Sequence, residues 1–162
     1  MDVYTQATLT ACIDVHEPEY LQKAMGYVFY KLFNDNIASA DARWVALRNG
    51  STYTDCNGIT QKWEGFTVVG KSPIAYFIYY WYRRENDTYT SQAGEKKGKT
   101  SNAVDTTGYV KMCNAWASMS DMTKNLWGFL THSLNGDNTR MFPEFDICNI
   151  NTRSFDKISQ LL

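Results

Sequence analysis

Proline and histidine are both scarce in this chain of 162 residues, with three of the first and two of the second. So few prolines exclude a polyproline or collagen-like construction, and two histidines leave little room for imidazole chemistry. No apolar run is long enough to cross a membrane as a helix. The longest wholly apolar or aromatic stretch is Ile74 to Tyr82, whereas a span needs about 20 residues. An excess of charge is missing too. Sixteen Lys+Arg face seventeen Asp+Glu, a formal net charge of −1, which argues against a DNA mimic and against a dedicated duplex binder.

Closely spaced cysteines are also absent. Cys12, Cys56, Cys113 and Cys148 lie far apart, so neither a zinc knuckle nor a thioredoxin-type redox pair is encoded locally. Met1 to Thr5 carries neither a basic n-region nor an apolar h-region. The expectation is a cytoplasmic protein with reduced cysteines.

What the chain has in plenty is rings: 15% of it is Phe, Trp or Tyr, within 44% hydrophobic and 20% charged residues. That composition and length suit one domain, residues 1–162, with an ordinary core. The patterning predicts an α+β fold, an antiparallel sheet packed by several helices. Its sheet comprises a long N-terminal strand, Val3 to Val15, read from period-two alternation, and a three-stranded meander. The meander strands are Arg43 to Arg48, Ser51 to Asp55 and Ile59 to Val69, turned at Asn49-Gly50 and Asn57-Gly58, with Gly65 as a bulge. Glu17-Pro18-Glu19 reads as a helix start ahead of Leu21, Met25, Val28 and Leu32. Ser72-Pro73 opens a helix over Ile74 to Arg84. Residues 86–106 read as a mobile loop. Two helices, around Tyr109 to Trp116 and over Asp121 to Leu134, follow, then a short strand near Phe145 and Ile147 and a terminal helix capped by Ser154.

The order helix, three antiparallel strands, helix between Glu17 and Arg84 is similar to that of the double-stranded-RNA-binding domain. That family places a basic cluster at the start of its second helix; only Lys71 stands there, so the resemblance implies topology and no function.

Chemical motifs are thin. Ala93 to Thr100 ends in the Gly-Lys-Thr of a P-loop, but Ala93 replaces its first glycine and no hydrophobic strand leads in. Neither His16 nor His132 is read with a second His, Cys or carboxylate at the i+3 or i+4 spacing of a helical metal site, so no metal and no cofactor are expected. His132 is placed on a polar face with Asn125 and Asp121. A site assembled from distant residues such as Cys113, His132 and Glu64 would make a small enzyme, with Cys113 and His132 as nucleophile and base.

Aromatic crowding before two arginines is the stronger signal. Tyr79, Tyr80, Trp81, Tyr82, Arg83 and Arg84 are too bulky a set to be wholly internal, and Tyr, Trp and Arg dominate protein–protein hot spots. The leading expectation is a non-enzymatic protein-binding module, an inhibitor or adaptor of the phage or mobile-element accessory type, with homodimerisation through the same face. The alternative is nucleic-acid binding, with tyrosines stacking on bases and Arg83, Arg84, Lys96, Lys97 and Lys99 on phosphates.

Overall fold

A computed structural model describes residues 3–67, 71–86, 88–91, 94–97 and 108–156. Among these, five helices and two antiparallel hairpins form: α1 (Val3–Met25), α2 (Tyr27–Asp35), α3 (Ala42–Asn49), β1 (Ser51–Thr54), β2 (Thr60–Trp63), α4 (Pro73–Asn86), β3 (Thr88–Ser91), β4 (Gly94–Lys97) and α5 (Gly108–His132). Short 3-10 turns at Ile147–Asn149 and Thr152–Phe155 follow. The mixed helix-and-strand character is as expected, while most of the expected sheet is helix.

Val3 to Val15 is the first half of α1, not a strand. The buried residues Cys12, His16, Tyr20 and Ala24 recur every four positions, which is one face of a helix. Val15, assigned to the buried face by the period-two reading, is 62% exposed. Small residues such as Ala7 and Ala11 fit either period, so the alternation rests on few informative positions. Pro18 lies inside α1 and starts no helix. Having no N–H to give the Asp14 carbonyl, it leaves one rung of the helical ladder unmade.

Arg43 to Arg48 is also helical. Asp41 caps α3 by accepting the Arg43 amide at 3.1 Å, and Trp44 and Leu47 are buried one turn apart. Gly50, at φ 92, ends that helix and is not part of a hairpin turn. The meander therefore reduces to β1 and β2, and the double-stranded-RNA-binding order of elements is lost with its first strand. The Asn57-Gly58 turn does form: Gly58 sits at φ 77, and the Asp55 carboxylate accepts the Asn57 and Ile59 amides, each at 2.9 Å. Gly65, at φ 86, is no bulge within a strand but a crossing point. A Cβ there would lie 2.5 Å from the Gly50 nitrogen.

Ser72-Pro73 does open α4, through the backbone: the Ser72 carbonyl accepts the Tyr76 amide. The two helices expected after residue 108 are one continuous α5, and no strand forms at Phe145 or Ile147. Within 86–106, β3 and β4 pair with Tyr89 opposite Lys96; residues 87, 92–93 and 98–106 lie outside those described. So do residues 157–162, which hold most of the expected terminal helix; Ser154 sits within the second 3-10 turn.

The core among the described residues is aromatic and draws on helices α1 to α5 and on both β1 and β2. Tyr20, Trp44, Trp63, Phe77, Phe129, Phe142, Phe145 and Phe155 are each less than 2% exposed. Buried indoles need acceptors for their N–H, and the backbone supplies them: Trp63 donates to the Leu47 carbonyl at 2.8 Å and Trp127 to the Ala24 carbonyl at 2.7 Å. Tyr20 meets the Thr123 hydroxyl at 2.8 Å, and that hydroxyl donates to the Met119 carbonyl at 2.8 Å. Burial accordingly pushes the Tyr20 phenol well above its ordinary range. Tyr53 donates to the Asn125 side chain at 2.8 Å, passing so close to Gly128 that a Cβ there would overlap its hydroxyl. Tyr20 and Trp127 thus hold α1 against α5, and Phe77 packs α4 on Tyr20 and Trp116.

Candidate functional site

Three donor atoms converge where α1 packs on the last turn of α4. Cys12 and His16 stand four apart on α1, one turn above the other, and Glu85 reaches them from α4. Cys12 Sγ, a His16 ring nitrogen and a Glu85 carboxylate oxygen all lie within 4.8 Å of one another. His16 is bracketed by acids: Nδ1 lies 2.8 Å from Glu19 Oε2 and Nε2 lies 3.2 Å from Glu85 Oε1. Lys23 closes the row at 2.5 Å from the other Glu19 oxygen.

The ring is held from its flat side as well. Trp81 stacks on His16 with centroids 5.1 Å apart and planes 9° from parallel, and the Arg84 guanidinium covers the Trp81 ring at 5.0 Å. Cys12 and His16 are buried, while the Glu85 side chain is 52% exposed, so the cluster opens to solvent along one edge.

A neutral imidazole has one N–H, and here two carboxylates face its two nitrogens. One carboxylate is satisfied by that proton; the other is left to solvent, a second ring proton or a cation. Lys23 and His16 hydrogen-bond the Glu19 carboxyl and hold it below the usual range against the opposing effect of burial. Burial, with the Glu85 charge adding to it, pushes the Cys12 thiol up. A thiol in that state is a poor free nucleophile, and both nitrogens of the neighbouring imidazole are already engaged by acids. The arrangement is unsuited to a Cys–His nucleophile pair and capable of holding a cation.

This corrects the sequence expectation for His16. Cys12 precedes it by four residues and Glu19 follows it by three, the two spacings of a helical ligand set. The count is present in the sequence but has no meaning under an extended reading of residues 3–15. Glu85, 69 positions from His16, carries no local signal.

The residues expected to meet a partner occupy the same end of α4. Tyr79 is 37% exposed, Tyr80, Trp81, Tyr82 and Arg83 are half-buried, and Arg84 is exposed. Beside them, Tyr76 and Tyr79 of α4 and Lys111, Asn114 and Ser118 of α5 line a groove of about 510 Å³. Tyr80 turns inward to Trp116, with centroids 4.7 Å apart. The side chains of Lys96, Lys97 and Lys99 lie outside those described.

Cys113 and His132, weighed as nucleophile and base, do not meet. They sit nineteen residues apart on α5, about 28 Å at the helical rise. Glu64 pairs with Lys62 at 3.0 Å, and His132 borders a smaller pocket with Tyr53 and Met141. No helix among the described residues is long and apolar enough to cross a membrane. Comparison with protein-family models, with curated proteins and with solved structures finds no match to this chain.

Proposed function

We propose that the chain is a non-enzymatic, cytoplasmic protein-binding module, an inhibitor or adaptor that engages another protein through the outer face of α4. The observation that carries this reading is the partial exposure of the ring-rich helix: Tyr79 reaches solvent next to half-buried Tyr82 and exposed Arg84. Large amphipathic rings held on a rigid helix lose little conformational freedom on binding, which is why such residues anchor interfaces. The groove bordered by Tyr76, Tyr79 and Lys111 supplies the concavity that an anchor side chain of the partner would fill.

The test is capture from native lysate by the wild-type chain and by Tyr79→Ala, Trp81→Ala and Arg84→Ala. Loss of the captured species in Tyr79→Ala and Arg84→Ala, with unchanged circular dichroism, is the expected result. Capture undiminished by all three changes refutes the surface. Pairing of two copies through the same face is read by sedimentation at rising concentration, with Tyr79→Ala as the control.

A further inference from the structure

We propose that α1 and α4 together form a single Zn²⁺ site, in which Cys12 Sγ, His16 Nε2 and a Glu85 carboxylate oxygen are ligands and water takes the fourth position. The inference stands independently of the partner-binding reading. Its first support is the donor set. One thiolate, one imidazole and one carboxylate suit a borderline ion such as zinc better than magnesium or calcium, which prefer oxygen alone.

The second is distance. Zinc bonds of about 2.0–2.2 Å to nitrogen and oxygen put two tetrahedral ligands roughly 3.4 Å apart. Nε2 and Oε1 already stand 3.2 Å apart. Cys12 Sγ lies within 4.8 Å of a His16 ring nitrogen and of a Glu85 carboxylate oxygen, and the corresponding tetrahedral edge to sulfur is about 3.6 Å. Closure therefore requires shifts on the order of 1 Å, taken up by rotation of the Cys12 side chain on α1 and by the half-exposed Glu85 side chain.

The third is orientation. Glu19 lies 2.8 Å from Nδ1, so with a metal taken at Nε2 the ring proton sits on Nδ1 and Glu19 accepts it. A carboxylate behind a ligating histidine is the usual outer-shell partner of such sites. The fourth is charge. A thiolate at Cys12 and the Glu85 carboxylate together neutralise the dication, while Lys23 offsets Glu19. The second carboxylate facing His16 thus has its counter-charge without a second ring proton. Three protein ligands with one solvent-facing edge make an open site with an exchangeable position, unlike the closed four-ligand sites of zinc fingers.

The experiment uses the full, untagged chain, reduced, stripped with chelator and titrated with Co²⁺ alone. The expected result is one equivalent bound, with thiolate-to-cobalt charge-transfer absorption and the intense visible bands of low coordination number, all abolished by one equivalent of Zn²⁺. Cys12→Ser removes the charge-transfer absorption and Cys113→Ser leaves it. Glu19→Gln, as a positioning change, weakens Co²⁺ affinity about 10–100-fold and keeps the charge-transfer band. If Cys12→Ser does not fold, Glu85→Gln decides, because its side chain is half in solvent: affinity must fall and the visible bands must change. Absence of these bands at one equivalent, their persistence unchanged in Glu85→Gln, or their loss in Cys56→Ser or Cys148→Ser overturns the site.

Discussion

Removing the hydroxyl at position 20 and the one at position 123 should have opposite logic, and the difference is worked from a single buried chain. The Thr123 hydroxyl has one proton, which goes to the Met119 carbonyl, so the Tyr20 hydroxyl donates to Thr123 and is itself fully buried. Tyr20→Phe removes a donor and leaves Thr123 still satisfied. The expected cost is about 1 kcal/mol, the net worth of a buried hydrogen bond. Thr123→Val preserves shape but strands the Tyr20 O–H without an acceptor, at about 1–3 kcal/mol. In a chain already carrying Tyr20→Phe nothing is stranded, so Thr123→Val there should cost less by about 1–2 kcal/mol. The assay is urea unfolding of the four proteins at constant m-value, supported by melting, where 1 kcal/mol corresponds to about 2–4 °C for a chain of this size. A Thr123→Val cost that is equal in both backgrounds, within about 0.5 kcal/mol, refutes the assignment of donor and acceptor.

Three further outcomes follow from the same structure. Gly128→Ala should destabilise by about 1–3 kcal/mol in urea unfolding, because the new methyl overlaps the Tyr53 hydroxyl and overpacking outweighs the roughly 1 kcal/mol that alanine gains in a helix; Tyr53→Phe in addition should recover part of the loss. The Asp55 carboxyl is held below its ordinary value, chiefly by the Ile59 amide and then by the Gln61 side chain. Its support of the β1–β2 turn is therefore complete above about pH 4 and is lost as pH falls through the lowered value. The Ile59 and Asn57 amide resonances should shift together with that midpoint, and Asp55→Asn should abolish the titration. Trp127→Phe should cost about 1–3 kcal/mol by leaving the buried Ala24 carbonyl without the indole donor it has at 2.7 Å, read as a lowered urea midpoint; an unchanged midpoint contradicts the claim.

Local punctuation is the readable part of this sequence. Ser72-Pro73 before an apolar run announces α4, and Asn57-Gly58 between β-formers announces the β1–β2 turn, because each needs only its own few residues. Arg43 to Arg48 is not readable in that way. Asn49-Gly50 is as good a helix ending as a hairpin turn, and the choice is made by Trp44 and Leu47 entering a core assembled from distant helices. The first helix is misread for a related reason: the alternation puts the odd positions from Val3 to Val15 inward on few informative side chains, whereas the buried row Cys12, His16, Tyr20 and Ala24 is even and recurs every four. The cluster at Cys12 and His16 is hidden by that error, and its third member by sequence distance. The ring-rich segment is legible in composition, yet which rings face inward, Phe77 and Tyr80 among them, depends on α1 and α5 arriving on either side.

The unmade rung at Pro18 falls between a part of α1 gripped by Tyr20, Leu21 and Ala24 and an outer arm whose buried residues are Cys12 and His16. Pro18 returns no hydrogen bond to Asp14, so the helical ladder is weakest there, and opening the arm must also draw Cys12 and His16 out of the core. Proteases should therefore clip this molecule ahead of residue 18 before anywhere in the gripped part, and anything that latches the arm to α4 should be visible as delayed trimming.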